Sequence, residues 1–150
     1  ECRARWLDAH FAAARREFDD LMDDAEGALA LVLLLDQVPR NVFRNSGHAF
    51  ATDPLALHVA TRAIDAGHDS NIDAGLRFFF YMPFEHSEAI ADQDRAVKLF
   101  TALGNANLLG YANAHRDVIV RFGRFPHRNA SLGRSNTTEE RAWLEAGGGF

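Results

Sequence analysis

Apolar positions recur along this chain at helical spacing, and no stretch alternates in the way a half-buried strand does. Trp6, Phe11, Phe18 and Leu21, set among alanines and charges, predict an amphipathic helix from about Arg3 to Met22. The next segment differs. Ala28 to Leu35 is apolar on every side, so a helix from about Ala25 to Val38 must be buried, and Pro39 is expected to stop it. That helix end carries Asp36, Gln37, Arg40 and Asn41, four hydrogen-bonding side chains delivered to the interior or to the floor of a cleft, where each needs a partner.

Further helices follow. Thr52 or Asp53 caps a third, with Pro54 in its first turn and Gly67 at its close. A fourth is expected over about Asp73 to Met82, ended by Pro83. Ser87 caps a fifth that runs to about Leu103 and breaks at Gly104. A sixth spans about Asn105 to Phe122, after which Gly123 and Pro126 impose a corner. Arg128 to Asn136 reads as loop, and Thr137 to Glu140 has capping-box spacing for a last short helix to about Ala146, with Gly147, Gly148 and Gly149 ending the order. The expectation is all-α, built of antiparallel helical hairpins like a degenerate helical repeat.

Length makes this one domain, since 150 residues enclose a single sizeable core. Apolar residues at 47% and charged residues at 25% are ordinary for a folded chain, which argues against disorder away from the ends. Ala28 to Leu35 is far too short to span a bilayer. A single cysteine, Cys2, allows no intrachain disulfide and fits a cytoplasmic location, as does the lack of a signal sequence. The net charge of −5 argues against general nucleic-acid binding. The charge is unevenly spread, however. His115 to Arg134 holds five arginines against Asp117 alone, whereas Glu85 to Asp94 holds four carboxylates and His86. The two segments can pair with each other or shape a cleft for a small anion, which arginine suits through bidentate contacts.

Four blocks carry a resemblance: L-A-L-V-L-L-L-D-Q-V-P-R-N-V-F-R, A-F-A-T-D-P-L-A-L, F-E-H-S-E with A-D-Q-D-R-A-V-K-L-F, and H-R-D-V-I-V-R-F-G-R-F-P-H-R-N. In order and over nearly the whole chain, they resemble the bacterial domain-of-unknown-function family 924. The resemblance implies a tetratricopeptide-like all-α fold and assigns no activity. Two departures stand out: Val38 occupies a place where the family usually has Phe, and the family's aromatic segment ahead of Arg3 is not present. Residues 1–150 are accordingly expected to be one helical domain lacking that N-terminal segment.

A proline followed within two residues by Arg-Asn closes an apolar helix twice, at Pro39-Arg40-Asn41 and at Pro126-His127-Arg128-Asn129, and the two corners are expected to meet. Gln93 and Asp94 lie between Ile90 and Val97 on helical spacing, so at least one points inward, with Arg40, Arg124 and Arg128 as natural partners. Glu85, Glu88 and Asp92 have one-face helical spacing, yet no second Glu-x-x-His motif exists to complete a carboxylate metal site, and a solvated acidic face explains them as well. His115-Arg116-Asp117 mimics a kinase triplet without its companion motifs and is set aside.

Three functions follow. The first is a polar corner that binds a small anionic ligand or a peptide carboxylate, with Arg40, Arg124 and Arg128 as clamps. Asp36, Gln37, Asn41, Gln93 and Asn129 complete that polar lining. The second is a metal-assisted or His/carboxylate hydrolase, in which His86 or His127 is acid or base, tuned by Glu85 or Glu88 and held by Asp36 or Asp92. The third is a scaffold for protein partners that uses a surface elsewhere. No cofactor is specified, and oligomeric state is open.

Overall fold

The structure is a computed structural model describing the backbone of residues 2–150 and the side chains from residue 6 onward. The thiol of Cys2, on which the redox reading rests, lies outside the described residues. Among those residues the fold is all-α, and no helix is long and apolar enough to cross a membrane.

Residues 25–42 form one continuous rod. In it, α2 (Ala25–Val32) starts at Asp24, whose Oδ1 accepts from the Gly27 amide at 2.8 Å, and a π-helical turn, Leu33–Gln37, leads into α3 (Val38–Val42). The expected stop at Val38 is thus corrected. A π turn widens the ladder by one residue, which accommodates Pro39 without ending the helix. Carbonyls freed by that turn are taken up by side chains. His10 Nδ1 donates to Leu34 O (2.8 Å), Thr52 Oγ1 to Leu35 O (2.5 Å), Arg40 Nη1 to Asp36 O (2.9 Å) and Asn41 Nδ2 to Gln37 O (3.0 Å). Leu35 O is the acceptor that an amide at position 39 would have used. Thr52 therefore precedes α4 (Asp53–Asp65) without capping it through its side chain.

Other boundaries move for comparable reasons. α1 (Cys2–Ala14) ends well short of Met22, because the backbone turns left-handed at Arg16 (φ 65°), and Phe18, Leu21 and Met22 reach the core through the following 3-10 turn. That turn lies so close to α2 that a Cβ at Gly27 would collide with the Leu21 carbonyl. The Asp73–Met82 stretch is not one helix. It holds a 3-10 turn, Arg77–Phe80, followed by α5 (Met82–Glu85), in whose first turn Pro83 is tolerated because its missing N–H has no acceptor there to lose. α6 (Ile90–Leu103) starts after Ala89, while Ser87 braces the entry, accepting from the Ala89 amide (3.2 Å) and donating to Asp92 Oδ2 (2.6 Å).

α6 and α7 (Ala106–Phe122) pack as a hairpin. Gly104 makes this possible by adopting φ 77°, which a side chain would resist, and Asn105 Oδ1 accepts from the amides of Asn107 and Leu108. In α8 (Thr138–Glu145) the capping box forms as its spacing predicts: Thr137 Oγ1 accepts from the Glu140 amide, and Glu140 Oε2 accepts from the Thr137 amide. The main core joins Leu31, Val32 and Leu35 of the rod to Val59 of α4, Phe84 of α5 and Phe100 of α6; a smaller cluster of Val118, Ile119 and Phe125 packs with Phe122 and Trp143. The glycine tail does not end the order. Gly147 (φ 88°) and Gly149 (φ 133°) fold it back so that Phe150 stacks on His115, with ring centroids 3.7 Å apart.

Candidate functional site

The π turn buries Asp36 entirely, at the centre of a hydrogen-bonded group. Its Oδ1 accepts from His86 Nδ1 at 2.6 Å and lies 3.2 Å from Arg40 Nη1, and its Oδ2 accepts from Gln37 Nε2 at 2.6 Å. Burial pushes the Asp36 carboxyl toward its neutral form, but His86, Arg40 and Gln37 outweigh it and hold the group below the usual carboxylate range. An ionised carboxylate only accepts, so His86 Nδ1 must carry a proton, which in the neutral ring leaves the lone pair on Nε2. His86 Nε2 has no hydrogen-bond partner and is not sealed from solvent, because His86 lines a cavity.

That cavity, of about 440 Å³, has an apolar wall that includes Phe78, Met82, Phe100 and Leu108, and a polar wall of Arg40, Glu85, His86, His115, His127 and Arg128. Arg40 is held by a bidentate pair, with Nη1 and Nη2 on the two oxygens of Asp53 at 2.7 and 2.9 Å. Arg128 is not. Its guanidinium is sandwiched between the rings of Phe50 and Phe125, each 4.5 Å from Cζ, and is 7% exposed. The nearest carboxylate, Asp53 Oδ2, is 3.5 Å from Nη1, and the buried Nε has no partner. Burial, followed by the positive charge of Arg40, brings Arg128 down to about 10, so it remains a cation at neutral pH.

Glu85 and His115 face the same space, Glu85 Oε1 lying 3.0 Å from His115 Nδ1. That nitrogen donates to Tyr111 O at 2.8 Å. Burial, reinforced by the charge of Asp36, raises Glu85 to about 7, and burial lowers His115 to about 4, so in mildly acidic solution the contact joins two neutral groups rather than an ion pair. His127, also lowered to about 4 chiefly by burial, sits edge-on to Phe150.

The two Pro-Arg-Asn corners meet in part. Arg40 and Arg128 converge on Asp53 and Phe50, whereas Asn41 is exposed beside the rod and Asn129 is buried in a separate network. In that network Arg134 forks onto Glu88, both contacts at 2.8 Å, while Glu88 Oε1 also accepts from the Phe125 amide. Asn129 accepts from Arg134 and donates to Asn136 and Glu140, and Arg124 is bidentate on Glu140 (2.7 and 2.9 Å). Glu88, Arg124 and Asn129 thereby fasten the α7–α8 connection that presents Arg128. Gln93, wholly buried, donates to the carbonyls of Glu85 (2.6 Å) and Ser87 (2.7 Å) and so fixes the segment bearing Glu85 and His86. The expected pairing of Gln93 and Asp94 with Arg40, Arg124 or Arg128 is corrected, since Asp94 pairs with Arg116. Glu85, Glu88 and Asp92 also share no helical face: they fall in α5, in the connection and in α6.

The Arg124–Glu140 contact predicts acid behaviour. Its hydrogen bonds hold Glu140 at about 2, below the ordinary 4.5, so the stability it contributes is present above 4.5 and lost as pH falls toward about 2. Arg124→Met is expected to flatten that part of the acid denaturation curve, measured by urea melts at successive pH values. An unchanged curve would assign the acid sensitivity to other groups.

With this geometry in place, comparison with known proteins identifies the relatives. The family model described as bacterial protein of unknown function (DUF924) matches residues 1–148. The chain belongs to this family. No curated protein matches. Among solved structures, a protein of unknown function, ATU0120 from Agrobacterium tumefaciens, is 55% identical, with a TM-score of 0.92 over 95% of this chain and 81% of that one. Neither relative comes with an assigned activity, so the site of this DUF924 member has to be read from its own chemistry. Sequence reasoning missed Asp53, taken only as a cap, and His115, set aside with the kinase-like triplet. His115 follows Leu108 and Ala112 and precedes Val118 and Ile119 on the inward face of α7, a spacing that could have revealed it.

Proposed function

We propose that the cavity binds a small organic carboxylate with an apolar body. The observation that carries this reading is Arg128, a buried cation without a single hydrogen bond, on the polar wall of a cavity whose other lining is apolar. A buried guanidinium ordinarily has its donors satisfied, and a carboxylate matches its fork. The apolar wall of Phe78, Met82, Phe100 and Leu108 takes the body of the ligand, while Asp53 holds Arg40 in place and keeps its charge near the site. In this reading Gln37, Gln93, Arg124 and Asn129 act by holding other residues in position, and Asn41 steadies the rod. The α6–α7 hairpin supports the tetratricopeptide-like description, and the single cysteine supports a cytoplasmic setting.

The test is a thermal-shift titration with octanoate and phenylacetate. At about 100 times the dissociation constant, binding should add roughly 2.7 kcal/mol of stability. Arg128→Met should abolish that shift while the ligand-free protein stays folded, since the residue gives up no hydrogen bond and its loss relieves repulsion with Arg40. No shift with either acid, or an undiminished shift in the variant, would refute the reading.

A further inference from the structure

A second cavity, of about 380 Å³, lies against the first, and the two share three lining residues: Phe50, His86 and Arg128. Its remaining lining includes the apolar Pro54, Leu57, Pro83 and Leu132 beside Asp53, Ser87 and Glu88. The shared wall thus brings together a cation with unused donors and an imidazole whose Nε2 is unpartnered, between two lobes that each have apolar side chains in their lining. Binding of a simple carboxylate requires only one lobe and no base.

We propose that this site hydrolyses a carboxylic ester whose acyl and alcohol portions occupy the two lobes, with His86 as general base and Arg128 as the oxyanion-stabilising group. The inference rests on the carboxylate-binding reading, because the acid Arg128 is suited to hold is the product. His86 Nε2 removes a proton from water as the water oxygen attacks the carbonyl carbon, and the π pair of the carbonyl moves onto its oxygen beside Arg128. Collapse of that oxyanion breaks the bond from carbon to the alkoxy oxygen, which takes the proton back from His86. The balance is ester plus water to acid plus alcohol, the acid then losing its proton to solvent.

Asp36 is the positioning residue. By accepting from Nδ1 at 2.6 Å it fixes the ring with Nε2 as the base and stabilises the imidazolium as it forms, and Gln37 and Arg40 hold Asp36 in turn. Water, rather than a side chain, is assigned as the nucleophile because Ser87, the neighbouring hydroxyl, donates to Asp92 Oδ2 and not to His86.

Hydrolysis of 4-nitrophenyl acetate, butyrate and octanoate by the intact protein tests this. The expected result is turnover above the buffer rate, kcat/KM rising with acyl length, competitive inhibition by octanoate, and no pre-steady-state burst of nitrophenol, since no acyl-enzyme forms. His86→Gln should lower kcat by about 10²- to 10⁴-fold while KM and the octanoate-induced thermal shift persist, and imidazole should partly restore His86→Ala. Octanoate binding without ester turnover, or turnover unaffected by His86→Gln, would overturn the catalytic proposal and leave the binding reading intact. A burst would overturn direct attack by water. Absence of octanoate binding would overturn the binding reading and this one with it. If the His86 variants fail to fold, the burst and acyl-length measurements on the unaltered protein, together with loss of activity in Arg128→Met, still decide.

Discussion

Replacing Arg40 by Met should cost about 3 to 5 kcal/mol in a denaturant melt, because it strips a cation from two carboxylates at once. Arg40 bridges the entirely buried Asp36 and the largely buried Asp53, and its Nη1 also satisfies the Asp36 carbonyl freed by the π turn. Methionine can fill the volume but offers no donor, which leaves Asp36 to His86 and Gln37 alone. Asp53 would keep only the 3.5 Å approach of Arg128. A loss below about 1 kcal/mol would mean that the pair behaves as a surface ion pair, which contributes little.

The second large effect should run in the stabilising direction. Glu85 has its carboxyl raised to about 7 by burial and by the charge of Asp36, so the folded chain binds its proton more tightly than the unfolded chain, whose value is the ordinary 4.5. Stability is therefore fully present below about 4.5, falls as pH rises through the interval, and levels off above about 7. At about 1.36 kcal/mol per unit, the fall amounts to roughly 3 kcal/mol. Glu85→Gln resembles the protonated acid at every pH. It should match the unaltered protein near pH 4 and exceed it by about 3 kcal/mol near pH 8, as read by paired urea melts. A difference that stays constant between those pH values would show that Glu85 ionises as readily folded as unfolded. A group retained at such a cost in stability is characteristic of functional sites, where ionisable residues are buried beside one another.

Legibility varied with the range of the interaction. Helix termini written in neighbouring residues were readable: Gly104 with Asn105, Gly123, and the Thr137–Glu140 capping box all stand where their local chemistry places them. Boundaries decided by distant partners were not. Pro39 reads as a stop because the sequence shows its missing donor, while Thr52, which takes the orphaned Leu35 carbonyl, lies 17 residues away. Similarly, Arg16 turns left-handed in a stretch whose apolar spacing alone would continue the helix, with Phe18 and Leu21 still reaching the core through a different backbone path.

The sequence by itself determined that this chain is helical, that most of Ala28 to Leu35 is buried, although Ala30 is exposed and Leu33 half-buried, and that Asp36, Arg40, His86 and Arg128 are polar groups in need of partners. These follow from periodicity, burial and the cost of an unsatisfied polar group, which are properties of short segments. Only the tertiary structure decided who partners whom. Asp36 and His86 are 50 residues apart, yet lie 2.6 Å from each other, while Arg124 and Asn129, chemically as suitable for the cavity, are drawn off to Glu140. Every carboxylate and arginine in the sequence is a candidate for every other; packing of α4 against the rod, of α5 against α4, and of α6 and α7 against α5 fixes the few distances short enough for hydrogen bonds. Packing also places Arg128 against the rings of Phe50 and Phe125 with no acceptor closer to its guanidinium than Asp53 at 3.5 Å, so its in-plane donors stay unused.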